Sequence, residues 1–341
     1  MNEKQKQTQL RKQVLPYEHS ETMRSVRQLF NTFIPFIFLW ILAYKSLSIS
    51  YALTFMIALV AAGFLTRIFI IFHDCCHNSF FKNRKANRIL GTVTGIITLF
   101  PFKKWQHSHN VHHAGSGNLD KRGIGDIWMM TVDEYMNAGS WAKLQYRLYR
   151  NPLIMFGLGP IYAFLIQNRF NRKGAKAKEK LNTYLTNGAI AAIVGILCYT
   201  LGWQSFLMVQ GTIFYIAGVM GIWLFYVQHT FEDSYFEESE DWEYVKAAVE
   251  GSSYYKLPKP LQWLTGNIGY HHVHHLSPRV PNYKLEDVHN HTKPLQHVPT
   301  ITLATSLQSL RYRLWDEEEK KFVTFQAVHK KAVRKKKTHV A

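Results

Sequence analysis

Three short clusters contain nine histidines, and eight of these have a spacing that suits metal binding. The first cluster, residues 73–77, has two histidines four residues apart, and the second (109–113) and third (271–275) each have histidines at positions i, i+3 and i+4. On a helix these positions project from one face, and neutral imidazole is the commonest protein ligand for metals such as iron. The predicted ligands are His73, His77, His109, His112, His113, His271, His274 and His275.

The number of these ligands favours two metal ions. A structural zinc ion needs only four ligands, whereas eight imidazoles suit two iron ions that keep positions open for oxygen. His229 ends the last long apolar segment and is a ninth candidate, because it emerges on the same side as the clusters. A simple interface role for this lone histidine is equally open.

Other polar residues near the clusters are expected to support the ligands or to be unrelated to them. Ligand histidines usually donate their second N–H group to a carboxylate, and the candidates are Asp74, Asp126, Glu232 and Asp233. His107 and His272 are offset from the ligand faces, so packing or hydrogen bonding to a ligand is expected for them. Cys75 and Cys76 point away from the face shared by the first cluster. His289 lies in a polar stretch and is expected to be solvated.

Long apolar segments position the clusters. Four segments of about 20 residues can cross a bilayer as helices: residues 29–47, 51–72, 184–201 and 205–227. Two shorter segments, residues 89–102 and 152–166, are predicted to enter the membrane without crossing it. The predicted fold is an all-α integral membrane protein with four transmembrane helices, two partial or re-entrant helices and a cytoplasmic cap that carries the histidines. Arg67 is expected to extend to the membrane interface.

The charge distribution and the even number of predicted membrane crossings place the clusters and both termini in the cytoplasm. The net charge is +18, and basic residues flank the 152–166 segment on both sides, as is typical of cytoplasmic loops. Contact with anionic lipid explains this charge better than nucleic-acid binding does. The predicted domains are a cytoplasmic leader at 1–28, a membrane domain at 29–320 and a basic tail at 321–341, with disorder over 330–341. Neither a secretory signal peptide nor a disulfide framework is expected.

The three clusters resemble the histidine boxes of the membrane fatty acid desaturases. That family's boxes have the forms HxxxH, HxxHH and HxxHH, and the flanking stretches 105–113 and 274–285 also look like the family's phrases. The resemblance extends from about residue 20 to residue 320. It is strongest with the bacillus-type acyl-lipid Δ5 desaturases.

The resemblance implies a di-iron desaturase that uses O2 to introduce a cis double bond, at Δ5, into phospholipid acyl chains of the cell membrane and so adjusts membrane fluidity. By the same likeness His229 becomes a ligand and Asn267 contacts the site through water. The chain lacks the haem-binding HPGG motif of fused cytochrome b5 domains, so ferredoxin or flavodoxin is implied as the electron donor. Both are acidic and suit the basic segments 169–180 and 334–337, for which lipid headgroup contact is an equally open alternative.

Two other functions use similar residues. Related di-iron membrane enzymes hydroxylate or ketolate their substrates, although the flanking phrases favour desaturation. A histidine-rich metal transporter is less favoured, because transporters place polar ligands near the midplane of spanning helices. Here the predicted spanning segments contain almost no ionisable residues. Acyl length, headgroup and oligomeric state stay open.

Overall fold

The computed structural model describes residues 3–330, so the expected disorder beyond residue 330 lies outside the described residues. Within that range the chain is mainly helical. In chain order the helices are α1 Glu3–Val14, α2 Thr22–Ser46, α3 Tyr51–His77, α4 Arg84–Ile97, α5 Phe102–Gly115, α6 Val132–Asn137, α7 Ser140–Tyr149, α8 Pro152–Gly157, α9 Gly159–Tyr162, α10 Ala177–Leu201, α11 Trp203–His229, α12 Tyr244–Glu250, α13 Lys259–Leu264, α14 His271–Leu276, α15 Leu285–His291 and α16 Leu303–Ser306.

Five short strands form two small sheets in the described part of the chain. The strands are β1 Met130–Thr131, β2 Tyr254–Lys256, β3 Thr300–Thr302, β4 Leu314–Asp316 and β5 Lys321–Val323. In the first sheet β4 lies between β1, which is parallel to it, and β5, which is antiparallel. In the second, β2 and β3 run parallel. Both sheets lie in the cap, which is the part of the structure that carries the histidines. They do not alter the predicted helical membrane architecture.

Four helices of the described residues are long and apolar enough to cross a membrane, which confirms that prediction: α2, α3, α10 and α11. α2 begins within the predicted leader, seven residues before the apolar segment. Its first turns bury Ser25 and Gln28, and the Ser25 hydroxyl donates to the Phe80 carbonyl at 2.6 Å. The first turns of α2 are therefore held by polar contacts with the rest of the protein.

The first cluster and His229 lie at the ends of spanning helices. α3 continues past the predicted segment to His77, so the first cluster occupies its last turns. The helix then ends at Asn78, whose left-handed backbone (φ 57°) lets its N–H group bond to the carbonyls of Asp74 and Cys75. α11 ends at His229 and contains a π-helical segment at Leu207–Gly211. Both helices thus deliver histidines to the same end of the bundle.

The two shorter apolar segments form interrupted helices. The first becomes α4, and the chain turns at Leu99 (φ 66°) before α5 begins. The second forms α8, α9 and a π-helical turn at Ala163–Gln167. Their entry into the membrane without crossing it stays a prediction.

Arg67 does not extend to the membrane interface as predicted. It is 5 % exposed within α3, and its Nε donates to Thr32 Oγ1 at 3.1 Å. Its guanidinium also donates to the Trp263 carbonyl and lies 4.0 Å from the Trp263 ring centroid. Because α13 supplies both a carbonyl and an aromatic face within reach, Arg67 joins α2, α3 and α13 instead.

The predicted leader and tail both contain packed structure. Leu10 and Val14 of α1 belong to a buried apolar cluster with Val273 and Leu276 of α14. At the other end of the chain, β5 pairs with β4 and buries Phe322. Both ends of the described chain are therefore part of the cap.

Candidate metal centre

All nine predicted ligands gather at one end of the four long helices. α3 contributes two histidines, α5 three, α11 one and α14 three. Their imidazole nitrogens form two groups, in each of which the possible ligand atoms lie within 4.8 Å of one another. The first group consists of His73, His77, His109, His113 and His274; the second consists of His112, His229 and His275.

His271 adjoins the second group. Its Nε2 lies 2.9 Å from His229 Nε2 and 3.1 Å from His275 Nε2. The nine histidines therefore divide into five and four. The groups adjoin each other, because the ring centroids of His113 and His275 are 4.3 Å apart.

Helix geometry explains how α5 and α14 serve both groups. An α-helix turns about 100° per residue, so position i+4 lies about 40° from position i, and position i+3 lies about 60° to the other side. In α5 the i, i+4 pair His109 and His113 enters the first group and His112 enters the second. In α14 the pair His271 and His275 lies at the second group, while His274 enters the first.

The arrangement of nitrogens fits a bound cation. His109 Nε2 lies 3.0 Å from His73 Nε2 and 3.1 Å from His113 Nε2. A neutral imidazole has one donor and one acceptor nitrogen, so one Nε2 atom cannot satisfy two such neighbours by donating a single proton. The buried Nε2 atoms of His77 and His112 have no hydrogen-bond partner among the described residues. Since buried polar atoms are rarely left unpaired, these nitrogens fit metal coordination.

Burial favours the neutral form of five of the candidate ligands, which is the form that binds metal. It lowers the pKa of His109, His113, His271, His274 and His275 well below the ordinary value of 6.5, and neighbouring histidines lower it further. Desolvation disfavours the charged imidazolium in each case. The lone pairs are therefore available at neutral pH without any deprotonation step.

These lowered pKa values predict that the metal-free protein loses stability on acidification. Below the ordinary pKa of 6.5, the unfolded chain binds protons at these histidines and the folded chain does not. The free energy of unfolding must then fall as the pH falls. We expect the unfolding midpoint of chelator-treated protein to drop between roughly pH 8 and roughly pH 5, as measured by thermal denaturation. A constant midpoint over this range would contradict the prediction.

Two of the four candidate carboxylates contact candidate ligand histidines. Asp126 Oδ1 lies 2.5 Å from His112 Nδ1, and Asp74 Oδ1 lies 3.3 Å from His73 Nδ1. Glu232 and Asp233 are exposed, and Glu232 accepts a hydrogen bond from the Tyr312 hydroxyl instead. The prediction was wrong for these two, because the chain leaves α11 directly after His229 and turns them outward.

The histidines outside the two groups take other roles. His272 is fully buried, and its Nε2 lies 3.1 Å from His289 Nδ1; burial lowers the pKa of His272 to about 3. His289 is 8 % exposed, so the expectation that it is solvated was wrong. It packs against Tyr254 and Tyr270, which lie far from it in sequence. His107 is partly exposed and belongs to neither group.

Four further contacts at or near the centre were missed by the reasoning from sequence. The Trp105 ring stacks on His109 with centroids 4.2 Å apart, and His229 Nδ1 lies 3.3 Å from the Gly251 carbonyl. The position of Trp105 one turn before His109 could have indicated the stacking. The contact of His229 could not have been predicted from a residue type, because its partner is a backbone carbonyl. Asn267 donates to the Asn282 carbonyl at 3.2 Å, and Asn282 in turn contacts Asp74.

The chain is similar to a known protein family over most of its length. The profile described as fatty acid desaturase matches residues 46–302. A Bacillus subtilis (strain 168) protein named fatty acid desaturase is 68 % identical over 323 residues, which cover 95 % of this chain and 92 % of that protein. The match includes all nine candidate ligands, since the profile range spans positions 73 to 275.

Two of the more distant relatives come from Synechocystis sp.. A Synechocystis sp. protein named sn-1 acyl-lipid omega-3 desaturase (ferredoxin) is 29 % identical, over 67 % of this chain and 64 % of its own length. A second Synechocystis protein, named sn-1 oleoyl-lipid 12-desaturase, is 25 % identical, over 67 % of this chain and 65 % of that protein.

Proposed function

The chain belongs to the fatty acid desaturase family and is an oxidoreductase, and from this premise we propose that it introduces a cis double bond, at Δ5, into the acyl chains of membrane phospholipids. O2 is the proposed oxidant and adjustment of membrane fluidity the proposed role. The observation that carries the proposal is the convergence of nine imidazoles at one end of four membrane-length helices. This arrangement supports a metal centre within reach of a bilayer acyl chain.

The two histidine groups are proposed to hold two iron ions. Bound iron with O2 would supply the oxidising power that an unactivated methylene group requires. The protein supplies neutral imidazoles, burial that excludes water, and carboxylates that orient the rings. Asp126, for example, holds the Nδ1 side of His112 and leaves the unpaired Nε2 free to face the second group.

A small cavity beside the second group is proposed to admit O2 and release water. Its volume is about 40 Å³, and its lining includes His112, His229, Asp126, Phe225 and Arg150. A cavity holding one water needs at least about 10–15 Å³ on this measure, so the space suits a few small molecules. It is too small for an acyl chain, which must approach the ligands from the bilayer side.

Ferredoxin is the proposed electron donor, with flavodoxin as the alternative acidic carrier. The support is the Synechocystis relative whose name includes ferredoxin, together with the net charge of +18. Desaturation removes two hydrogens from neighbouring carbons and reduces one O2 to two waters, so two electrons and two protons must come from outside the substrate. An acidic carrier would be attracted to the basic cytoplasmic surface.

The centre is proposed to face the cytoplasm from the cell membrane. Each of the pairs α2–α3 and α10–α11 consists of two helices that are long and apolar enough to cross a membrane, so each pair is proposed to leave and return to the side where the first cluster and His229 lie. α1 packs against α14, which supports a location of the N-terminus on that side too. The basic flanks of the 152–166 segment favour the cytoplasm for this side.

The test is expression in a bacterium that lacks such a desaturase, together with a ferredoxin and its reductase. We expect a new monounsaturated fatty acid that is two hydrogens lighter than its precursor, with the double bond located by mass spectrometry. A product that gains oxygen would instead identify a hydroxylase or ketolase. Unchanged lipids together with metal uptake into vesicles would identify a transporter. A double bond elsewhere than Δ5 would overturn only the positional assignment.

A further inference from the structure

A buried polar network joins the first histidine cluster to two distant segments of the chain. We propose that Asp74 is a positioning residue that fixes the tautomer and orientation of His73, and that Asn282 and Gln28 hold Asp74 in place. The proposal rests on the proposed function only in that His73 binds a metal ion. It concerns how this particular ligand is made ready for the metal.

The contacts of the network lie between 2.7 and 3.3 Å and join buried side chains. Asp74 Oδ1 lies 3.3 Å from His73 Nδ1, and Asp74 Oδ2 accepts from the Asn282 backbone N–H at 2.7 Å and from Asn282 Nδ2 at 2.8 Å. The Asn282 amide also exchanges two hydrogen bonds with the Gln28 amide, at 3.0 and 3.2 Å. All four side chains are buried: Gln28 and His73 are 3 % exposed, Asp74 2 % and Asn282 1 %.

The network determines which nitrogen of His73 carries the proton. His73 Nε2 faces the first group, 3.0 Å from His109 Nε2, so Nε2 is the ligand atom and Nδ1 must carry hydrogen. An ionised carboxylate only accepts hydrogen bonds. Asp74 therefore stabilises the tautomer that leaves the Nε2 lone pair free for the metal.

The charge of Asp74 points to the same role. Among the described residues its ion-pair contact is with His73, and no lysine or arginine is paired with it. Burying a carboxylate without a compensating positive charge is unfavourable, and the two Asn282 donors to Asp74 carry no charge. A cation bound through His73 would supply the missing positive charge.

The network also fixes the relative positions of three segments. Asp74 belongs to α3, Gln28 to the first turns of α2, and Asn282 to a short 3-10 helix, Asn282–Lys284, that follows α14. Through these contacts α3 is held against the third cluster, where the ring centroids of His73 and His274 are 4.4 Å apart. The corresponding carboxylate at the second group, Asp126, has a side chain that is 19 % exposed, whereas Asp74 is closed off from solvent.

The test is the substitution Asp74→Asn, because asparagine has the same shape as aspartate but no charge. The oxygen of the new amide can still accept from Asn282, so its NH2 group turns toward His73 Nδ1. That nitrogen must then accept, which moves the proton to Nε2 and blocks it as a ligand. We expect Asp74→Asn to weaken the binding of one of the two Fe²⁺ ions by about 10–100-fold, measured by competition with a chromogenic chelator.

A double-mutant cycle shows whether Asp74 acts through His73. In a His73→Ala background, Asp74→Asn should cause no further loss of iron affinity, because the ring that it orients is gone. The matched control is Asp133→Asn, which makes the same chemical change at an exposed residue of α6 and should bind iron as the wild type does. Unchanged iron affinity in Asp74→Asn, or an equal loss in both backgrounds, would overturn the proposal.

Asn282→Ala keeps the experiment decisive if Asp74→Asn does not fold. This variant retains the carboxylate and the backbone N–H donor but removes the side-chain donor and the partner of Gln28. We expect a smaller loss of affinity at the same iron, and no loss would overturn the proposal. Wild-type protein that binds no iron would instead contradict the proposed metal centre itself, so the two failures are distinguishable.

Discussion

His109→Ala should abolish the formation of unsaturated fatty acid and lower the iron content of the purified protein. The His109 ring touches three members of the first group and lies between His73 and His113. Replacing residues that merely support metal ligands costs about 10–100-fold in metal affinity or activity, so the loss of His109, a proposed ligand at the centre of its group, should cost at least about 100-fold. Gas chromatography of membrane lipids and an iron assay on purified protein measure the two effects.

His107→Ala is the matched control for this variant. His107 lies on the same helix two residues earlier, is partly exposed, and belongs to neither histidine group. The His107→Ala variant should retain wild-type iron content and product formation. Equal losses in both variants would mean that α5 tolerates no substitution, and full activity of His109→Ala would contradict the assignment of the first group.

Gly269→Ala should have the second largest effect, because Gly269 precedes the third cluster at a point where there is no room for a side chain. A Cβ atom there would lie closer than 3.0 Å to the Tyr255 carbonyl oxygen and to both polar atoms of the buried Gln262 amide. Tyr255 cannot easily move, since its N–H group bonds to the Gly269 carbonyl at 2.7 Å and its strand pairs with Ile301. α14 must shift instead.

The shift should reduce both stability and activity. Overpacking of this kind costs about 1–3 kcal/mol, and misplacing catalytic groups by about 1 Å can cost about 100-fold in rate. We expect a lower unfolding midpoint in detergent, a lower iron content, and little product. If Gly269→Ala retained normal activity and stability, the tight approach of β2 to the third cluster would be disproved.

Gly188→Ala provides the comparison for the substitution itself. Gly188 lies in α10, and apart from its chain neighbours and the backbone of its own helix no heavy atom of the described residues would lie within 4 Å of an added Cβ. Alanine is favoured over glycine within a helix by about 0.5–1 kcal/mol, so this variant should be as stable as the wild type or slightly more stable. The contrast isolates the effect of space at Gly269 from the general effect of adding a methyl group.

The long helices and the histidine clusters could be predicted from short stretches of sequence, because the length of an apolar segment and the spacing of histidines are local properties. Apolar segments of about 20 residues predicted the four long helices. Cluster spacing predicted eight of the nine histidines that the structure brings together, and His229 was predicted from its place at the end of an apolar segment and from the family resemblance. Predictions failed where a partner distant in sequence decides the outcome. Arg67 is buried because Trp263 receives it, and His289 is buried because His272 and two tyrosines surround it.

Spacing alone also determines that α5 and α14 each divide their histidines into a pair and a single residue. The i and i+4 rings lie about 40° apart, whereas the i+3 ring lies about 60° to the other side. Only the tertiary structure decides that the α5 pair joins the histidines of α3 while the α14 pair joins His229. The physical reason is that one helix fixes angles only around its own axis. Which histidines meet depends on how α3, α5, α11 and α14 pack against one another. That packing is set by contacts between residues far apart in the chain, such as the contact of Asp74 with Asn282.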